Sequence, residues 1–200
     1  TGASAKWLGI PSEKRLNGSG VSACAVCDGF FYRNKDVAVV GGGDTACEEA
    51  LYLSKICSHV HMLVRRDVMR ASKVMQDRVL RSDKITVHWN SETDEVLGGE
   101  VVEGMRVKNN KTSELTEIPI EGFFVAIGHK PNSDVFAEFI DTDEQGYVVT
   151  SPDSTATNIE GVFAAGDLQD KHYRQAVTAA GTGCMAALEA ERYLSAEGYV

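Results

Sequence analysis

Two cysteines three positions apart stand in Cys24-Ala25-Val26-Cys27-Asp28, with a carboxylate directly after the second. A pair at that spacing can close a small disulfide. Thiolate attack on another disulfide needs one cysteine ionised and the other ready to resolve the mixed disulfide. Asp28 is placed to deliver or accept the proton for that step. Other readings stand beside this one. The pair could belong to a zinc site or be two inert buried thiols, and Asp28 could simply cap a turn. Zinc usually takes four ligands in paired sets, whereas Cys47, Cys57 and Cys184 are scattered singly and fall in helical patterns that read as core. The histidines show no metal spacing, so no metal is expected.

A second group of residues suits phosphate chemistry. The apolar run Val37-Ala38-Val39-Val40 leads into Gly41-Gly42-Gly43-Asp44-Thr45-Ala46. Gly41 permits a tight turn, Gly43 lets backbone approach a pyrophosphate, and Ala46 lets a helix lie close on the strand. The phosphates would rest on free N–H groups at the helix N-terminus, with Asp44 or Thr45 as its N-cap. A glycine run can also be a plain turn, but strand and helix flank this one. An NAD-binding domain carries Asp or Glu about 20 residues past the glycines, at the end of the second strand. This chain has Arg65-Arg66-Asp67 there, with Arg70 one turn on. Guanidinium forks suit a 2′-phosphate, so the coenzyme is read as NADPH rather than NADH; the alternative is a solvated cationic cluster. Hydride transfer from a nicotinamide to a disulfide calls for a two-electron carrier, for which a flavin is suited. Gly161-Val162-Phe163-Ala164-Ala165-Gly166-Asp167 reads as a strand ending in an exposed Asp, either for a ribityl hydroxyl or as ordinary turn chemistry.

These groups must be positioned by an α/β framework. Strands are expected at 37–40, 60–64 and 85–89, with helices at 45–56 and 73–81, which makes right-handed βαβ crossovers. Short runs at 95–97, 101–107 and 115–120, broken by Gly98-Gly99 and Asn109-Asn110, suggest an antiparallel meander hung on the parallel sheet. A buried strand returns at 123–127. Further strands are expected at 147–150 and 162–165, and a long helix at 175–195 whose first half is rich in small residues. Residues 1–35 read as mostly loop, with Gly29-Phe30-Phe31-Tyr32 as an apolar patch shielding a buried redox centre.

Composition narrows the function classes. Hydrophobic residues make up 43% and charged residues 24% of 200, as in a globular chain. Lys+Arg 20 against Asp+Glu 29 gives a net charge of −9, poorly suited to sequence-independent nucleic-acid binding. No apolar run approaches the roughly 18 residues that span a bilayer, and no secretory signal is visible. Five cysteines is an odd number, which argues against a secreted disulfide scaffold and for a reducing, cytoplasmic compartment.

Taken in order and spacing, residues 22–29, the 41–49 turn, Arg65-Arg66-Asp67, Phe124-Val125-Ala126-Ile127-Gly128-His129, and residues 161–167 followed by Arg174-Gln175-Ala176 resemble the low-molecular-weight thioredoxin reductase family, from Thr1 to about Leu194. The resemblance implies a homodimeric flavoenzyme that reduces thioredoxin with NADPH through FAD. It implies an NADPH-binding domain at 8–131 carrying the redox disulfide, with 1–7 and 132–200 as the later part of an FAD-binding domain. On that pattern Cys27 lies against the flavin, Cys24 exchanges with thioredoxin, and Asp28 is the acid. Gly41 to Ala46, Arg65, Arg66, Arg70 and Ile127 fall to NADPH; Gly166, Asp167, Arg174, Gln175 and Ala176 fall to FAD. The NADPH domain would rotate against the FAD domain, with 9–17 and 129–132 as crossing strands. Two departures stand out: Val64 replaces a frequent His, and the family's opening flavin-binding half lies outside these residues, so the FAD site is only partly encoded here. The rivals are an NADPH-binding module without catalysis and the flavoprotein partner of a peroxidase system.

Overall fold

A computed structural model describes residues 1–199. The chain opens with a short strand, β1 (Ala3–Ala5). Pro11 then starts a helix, since its fixed φ suits a first turn, and α1 spans Pro11–Arg15. Buried Glu13 accepts hydrogen bonds from the Leu8 and Gly9 N–H groups, both at 2.9 Å, which fixes the approach to the helix. β2 (Val21–Ser22) leads into α2 (Ala25–Asp28) and a 3-10 turn at Gly29–Tyr32.

Two crossovers follow: β3 (Asp36–Val40), α3 (Asp44–Leu53), β4 (His59–Val64), α4 (Lys73–Leu80) and β5 (Ile85–Trp89). A meander then forms from β6 (Ser91–Leu97), β7 (Gly104–Asn109) and β8 (Leu115–Pro119), all antiparallel. β9 (Gly122–Val125) returns to the first sheet, whose order is β2-β9-β3-β4-β5 with every pairing parallel.

The alternation of β3 and β4 explains the layers. Val37, Val39, Val60, Met62 and Val64 join Ala46, Cys47, Ala50 and Leu53 of α3 and Val79 of α4. Ala38, Val40 and Leu63 face the other way, with Phe123, Val125 and the meander's Val96, Met105 and Val107. Both faces of the sheet are therefore covered, as a parallel sheet requires. This material, Lys6–Gly128, forms one compact unit. Its two ends meet: the Lys6 N–H donates to the Gly128 carbonyl at 2.9 Å.

The second unit joins Thr1–Ala5 to the chain from His129 onward. In it, β10 (His129–Pro131) pairs antiparallel with β1, and α5 spans Ala176–Ala196.

Several sequence expectations change. The meander strands begin and end elsewhere, at Ser91 rather than 95 and at Gly104 rather than 101. The runs at 147–150 and 162–165 form no strands, only single bridges, Thr142 to Val148 and Ala156 to Phe163. Their N–H groups go instead to scattered acceptors, Val148 to Leu168 O and Ala164 to Thr155 O. Residues 9–17 hold a helix instead of a crossing strand, and the units divide at 5/6 and 128/129. Cys184 is exposed on α5 rather than core.

On the meander side of β4 and β5 the imidazoles cluster. His61 Nδ1 and His88 Nε2 share a hydrogen bond at 3.1 Å, and the His59 ring lies 4.9 Å from that of His61. Burial, helped by His88 and His59 and opposed by Asp36, pushes the His61 pKa down to about 4. The unfolded chain therefore binds more protons than the folded one between about pH 4 and 6.5, and stability falls as pH drops through that window. Thermal melts are expected to show a lower Tm at pH 5 than at pH 7.5, with His61→Phe reducing the difference. An unchanged pH dependence in that variant would dismiss the cluster as its source.

Candidate functional site

All five parallel strands present their carboxyl ends on one edge of the sheet. In open α/β sheets ligands sit beyond that edge, where strand order reverses. From β3 the chain steps one way to β4 and β5, while β9 and β2 lie on the other side. The reversal thus falls between β3 and β9. Beyond these strand ends stand the Gly41–Gly43 turn and Ile127; beyond β4 stand Arg65 and Arg66; beyond β2 stands Cys24.

A cleft of about 490 Å³ occupies the reversal, lined by Gly41, Gly42, Arg65, Arg66, Arg70 and Ile127 among others. Gly41 has φ +149°, and an added Cβ would strike the Ala126 carbonyl oxygen and lie 2.7 Å from Ala46 Cβ. Only glycine fits there. Gly43 is the N-cap of α3, and a Cβ on it would meet nothing within 4 Å, so the space above the helix N-terminus is open. That terminus carries unpaired N–H groups and the positive end of the helix dipole.

Asp44 and Thr45 were expected as caps; the cap is Gly43, and Asp44 is the first helical residue. Its carboxylate instead accepts from the Ser72 hydroxyl at 2.7 Å and the Ser72 N–H at 3.0 Å, which lowers its pKa. Together with bonds from the Arg70 and Ala71 N–H groups to Gly42 O, at 2.7 and 3.0 Å, this straps the arginine-bearing loop to the glycine turn. Thr45 is half-buried and Ala46 fully buried beneath the turn.

Cys24 and Cys27 form a disulfide, with Cα atoms 5.3 Å apart, so neither is an inert free thiol. Cys24 is the N-cap of α2, its sulfur accepting from the Cys27 N–H at 3.2 Å. Cys27 is exposed and Cys24 half-buried. Ser22, at the end of β2, donates its hydroxyl to Asp28 Oδ2 at 2.6 Å and accepts from the Cys24 N–H at 3.0 Å. One serine therefore fixes the carboxylate relative to the disulfide. Asp28 also faces a second cavity of about 450 Å³ that contains Tyr32, whose pKa is raised by burial and by Asp28. The apolar patch does not shield a buried centre: Phe30 and Phe31 are 67% and 73% exposed. Cys47 and Cys57 are buried, and burial pushes each thiol up to about 11.

The remaining candidates lie in the other unit. Gly166, with φ +71°, opens the 3-10 turn Gly166–Leu168 that carries Asp167, and its N–H donates to Thr182 Oγ1 of α5 at 2.9 Å. Ala179 lies 3.5 Å from where a Gly166 Cβ would be, one use for the small residues of α5. Arg174 holds φ +48°. Gln175 caps α5 in a reciprocal box with Thr178, and Ala176 begins the helix. Sequence reasoning missed Asp170, which accepts from the His172, Tyr173 and Arg174 N–H groups at 2.8–2.9 Å and sets this loop. Desolvation pushes its pKa up, but these bonds and one from Thr178 outweigh it, so the net shift is downward. It missed Ser22 and Ser72 as well; their only sequence signal is a hydroxyl near a carboxylate or loop end.

Comparison with known proteins follows the same outline. The family described as pyridine nucleotide-disulphide oxidoreductase matches residues 1–183. A thioredoxin reductase of Debaryomyces hansenii is 55% identical over 200 residues, covering 98% of this chain and 62% of that protein. One from Rickettsia conorii is 52% identical, covering 98% and 64%. The crystal structure of thioredoxin reductase from Streptococcus pyogenes superposes with a TM-score of 0.93 at 40% identity, covering 98% of this chain and 64% of that one.

Gly41→Ala tests the turn. The strained φ and the clash with Ala126 predict a loss of roughly 2 kcal/mol or more in urea unfolding. A variant as stable as the parent would mean that the turn has room to spare.

Proposed function

This chain belongs to the pyridine nucleotide-disulphide oxidoreductase family, and on that footing we propose that it is the coenzyme- and disulfide-bearing part of a thioredoxin reductase. Electrons pass from NADPH, with FAD as carrier, to the Cys24–Cys27 disulfide and on to thioredoxin. One observation carries the proposal: an oxidised cysteine pair and a cleft bearing three arginines leave the carboxyl ends of the same five-stranded parallel sheet. The chain spans 62% and 64% of the length of two relatives it matches, so the activity is assigned to the whole protein of which such a segment is part.

In this reading the glycine turn Gly41–Gly43 and the first residues of α3, Asp44, Thr45 and Ala46, seat the pyrophosphate. Arg65, Arg66 and Arg70 take the 2′-phosphate, and Ile127 lines the cleft across from the turn. The open space above Gly43 supports this fit, since phosphate oxygens can reach the free N–H groups of α3 unhindered. Gly166, Asp167, Arg174, Gln175 and Ala176 would hold part of FAD, the Asp167 carboxylate being suited to accept from ribityl hydroxyls. Bound flavin supplies two-electron exchange with the disulfide.

The chain's own residues do the rest. Reduction breaks the S–S bond with two electrons, and the sulfur that ends as a thiol takes up a proton. Asp28, fixed by Ser22, handles that proton. Cys27, the more exposed, would be the sulfur that exchanges electrons with bound flavin. Cys24 attacks the thioredoxin disulfide, and the partner cysteine resolves the mixed disulfide. Val26, Phe30 and Phe31, all exposed beside the pair, offer the incoming protein an apolar landing. The connections at 5/6 and 128/129 serve as hinges for rotation of the NADPH domain against the FAD domain. A homodimer in the cytoplasm completes the reading. Among the described residues no helix is long and apolar enough to cross a membrane.

Arg65→Ala with Arg66→Ala is expected to raise the Kd for NADPH at least about tenfold, as loss of charge-assisted hydrogen bonds predicts. NADH should change less than about twofold. Titration calorimetry on this chain decides it, and equal losses for both coenzymes would take the arginines out of the site. In the whole protein, Cys24→Ser should abolish thioredoxin-dependent NADPH oxidation while NADPH affinity stays unchanged. Turnover surviving in that variant would sink the cysteine relay.

A further inference from the structure

The turn that carries Arg65 and Arg66 is held from behind by the tip of the β7–β8 hairpin. The Arg65 carbonyl accepts from Asn110 Nδ2 at 2.6 Å. The Arg66 carbonyl accepts from the Asn90 N–H at 3.1 Å, and Asn90 O in turn accepts from the Asn110 N–H at 2.8 Å. Both carbonyls of the arginine pair therefore end on one hydrogen-bonded pair of asparagines. Asn90 sits between β5 and β6 at φ +53°, a conformation that asparagine tolerates better than most residues. The hairpin tip is itself ordered, because Asn109 Oδ1 accepts from the Lys111 and Thr112 N–H groups at 2.9 and 3.1 Å. The next residue, Lys111, meets the Asp67 carboxylate at 3.0 Å. That pairing, with the Lys111 hydrogen bond first, lowers the Asp67 pKa.

We propose that Asn110 is a positioning residue for coenzyme choice: it fixes the backbone from which the two guanidiniums reach the 2′-phosphate, while Lys111 neutralises the Asp67 carboxylate that follows them. The proposal rests on the reading of Arg65 and Arg66 as 2′-phosphate ligands. Its logic is entropic and electrostatic. Arginine side chains are long and lose much rotamer freedom when a ligand orders them. A turn anchored at both carbonyls keeps their starting points in register, so less is lost on binding. A loose turn would still bind the adenosine and pyrophosphate through the glycine turn, so the loss should fall on the phosphorylated coenzyme alone.

The test measures Kd for NADPH and NADH by titration calorimetry on this chain and on Asn110→Ala, Asn110→Ser and Lys111→Met, with the Arg65→Ala, Arg66→Ala double variant as control. Neither alanine nor the short serine hydroxyl replaces the Nδ2 donor, and the serine variant carries the measurement if the alanine variant fails to fold. Asn110→Ala and Asn110→Ser are expected to raise the NADPH Kd about fivefold, the size of one lost hydrogen bond, with NADH within about twofold. Lys111→Met should weaken NADPH about twofold to threefold, an effect that shrinks in high salt. If the double variant loses NADPH selectively but the Asn110 variants do not, the positioning role is overturned and the arginine reading stands. If the Asn110 variants weaken both coenzymes equally, the hairpin is only structural. If the double variant weakens both equally, the arginine reading itself falls.

Discussion

At Gly41 three elements come within touching distance with no side chain between them. The end of β3, the Ala126 carbonyl just past β9 and Ala46 in the first turn of α3 converge on a position where even a methyl group has no place. This close approach sets the helix N-terminus directly beyond the reversal in strand order. Because neighbouring strands lie about 4.8 Å apart, fixing that point also fixes where β4 releases its arginines and where β2 releases Cys24. The loop from Arg65 to Ser72 is tied to the same turn through Gly42 and Asp44. The cleft is thus a property of the sheet edge, not of any loop taken alone.

Four of the five cysteines show how burial sorts one functional group into separate roles. Cys47 and Cys57 lie in the helix-side core, where desolvation disfavours the thiolate and leaves them inert at neutral pH. Cys24 and Cys27 stand on a single helical turn at the sheet edge, with Asp28 held in place by Ser22. The redox couple is the pair with a titratable group and an exposed face, and the other buried sulfurs contribute packing.

Much of the parallel sheet was legible because its strands are β-branched runs with glycine or arginine at their ends. The arginines stood out by their position after the second strand, and the cysteine pair by its spacing alone, since β2 ahead of it read as loop. What sequence could not show was long-range pairing of side chain with backbone. Ser72 is 28 residues from Asp44, and Asn110 is 45 from Arg65. α1 was hidden because Pro11-Ser12-Glu13 also spells a turn; its stabilisation comes from Glu13 bonding back to Leu8 and Gly9. The runs at 147–150 and 162–165 have strand composition but no ladder partner, since composition says nothing about which neighbour is available. Phe30 and Phe31 read as a shield from hydrophobicity alone, yet they face solvent.

The bond between the Lys6 N–H and the Gly128 carbonyl joins the first and last residues of one unit. A lobe that departs and rejoins its host at neighbouring points behaves as a cassette: it can be excised, grafted into another scaffold or exchanged for a different module without re-routing the surrounding chain. Its core is closed on both faces of the sheet, so such a transplant carries its own stability with it.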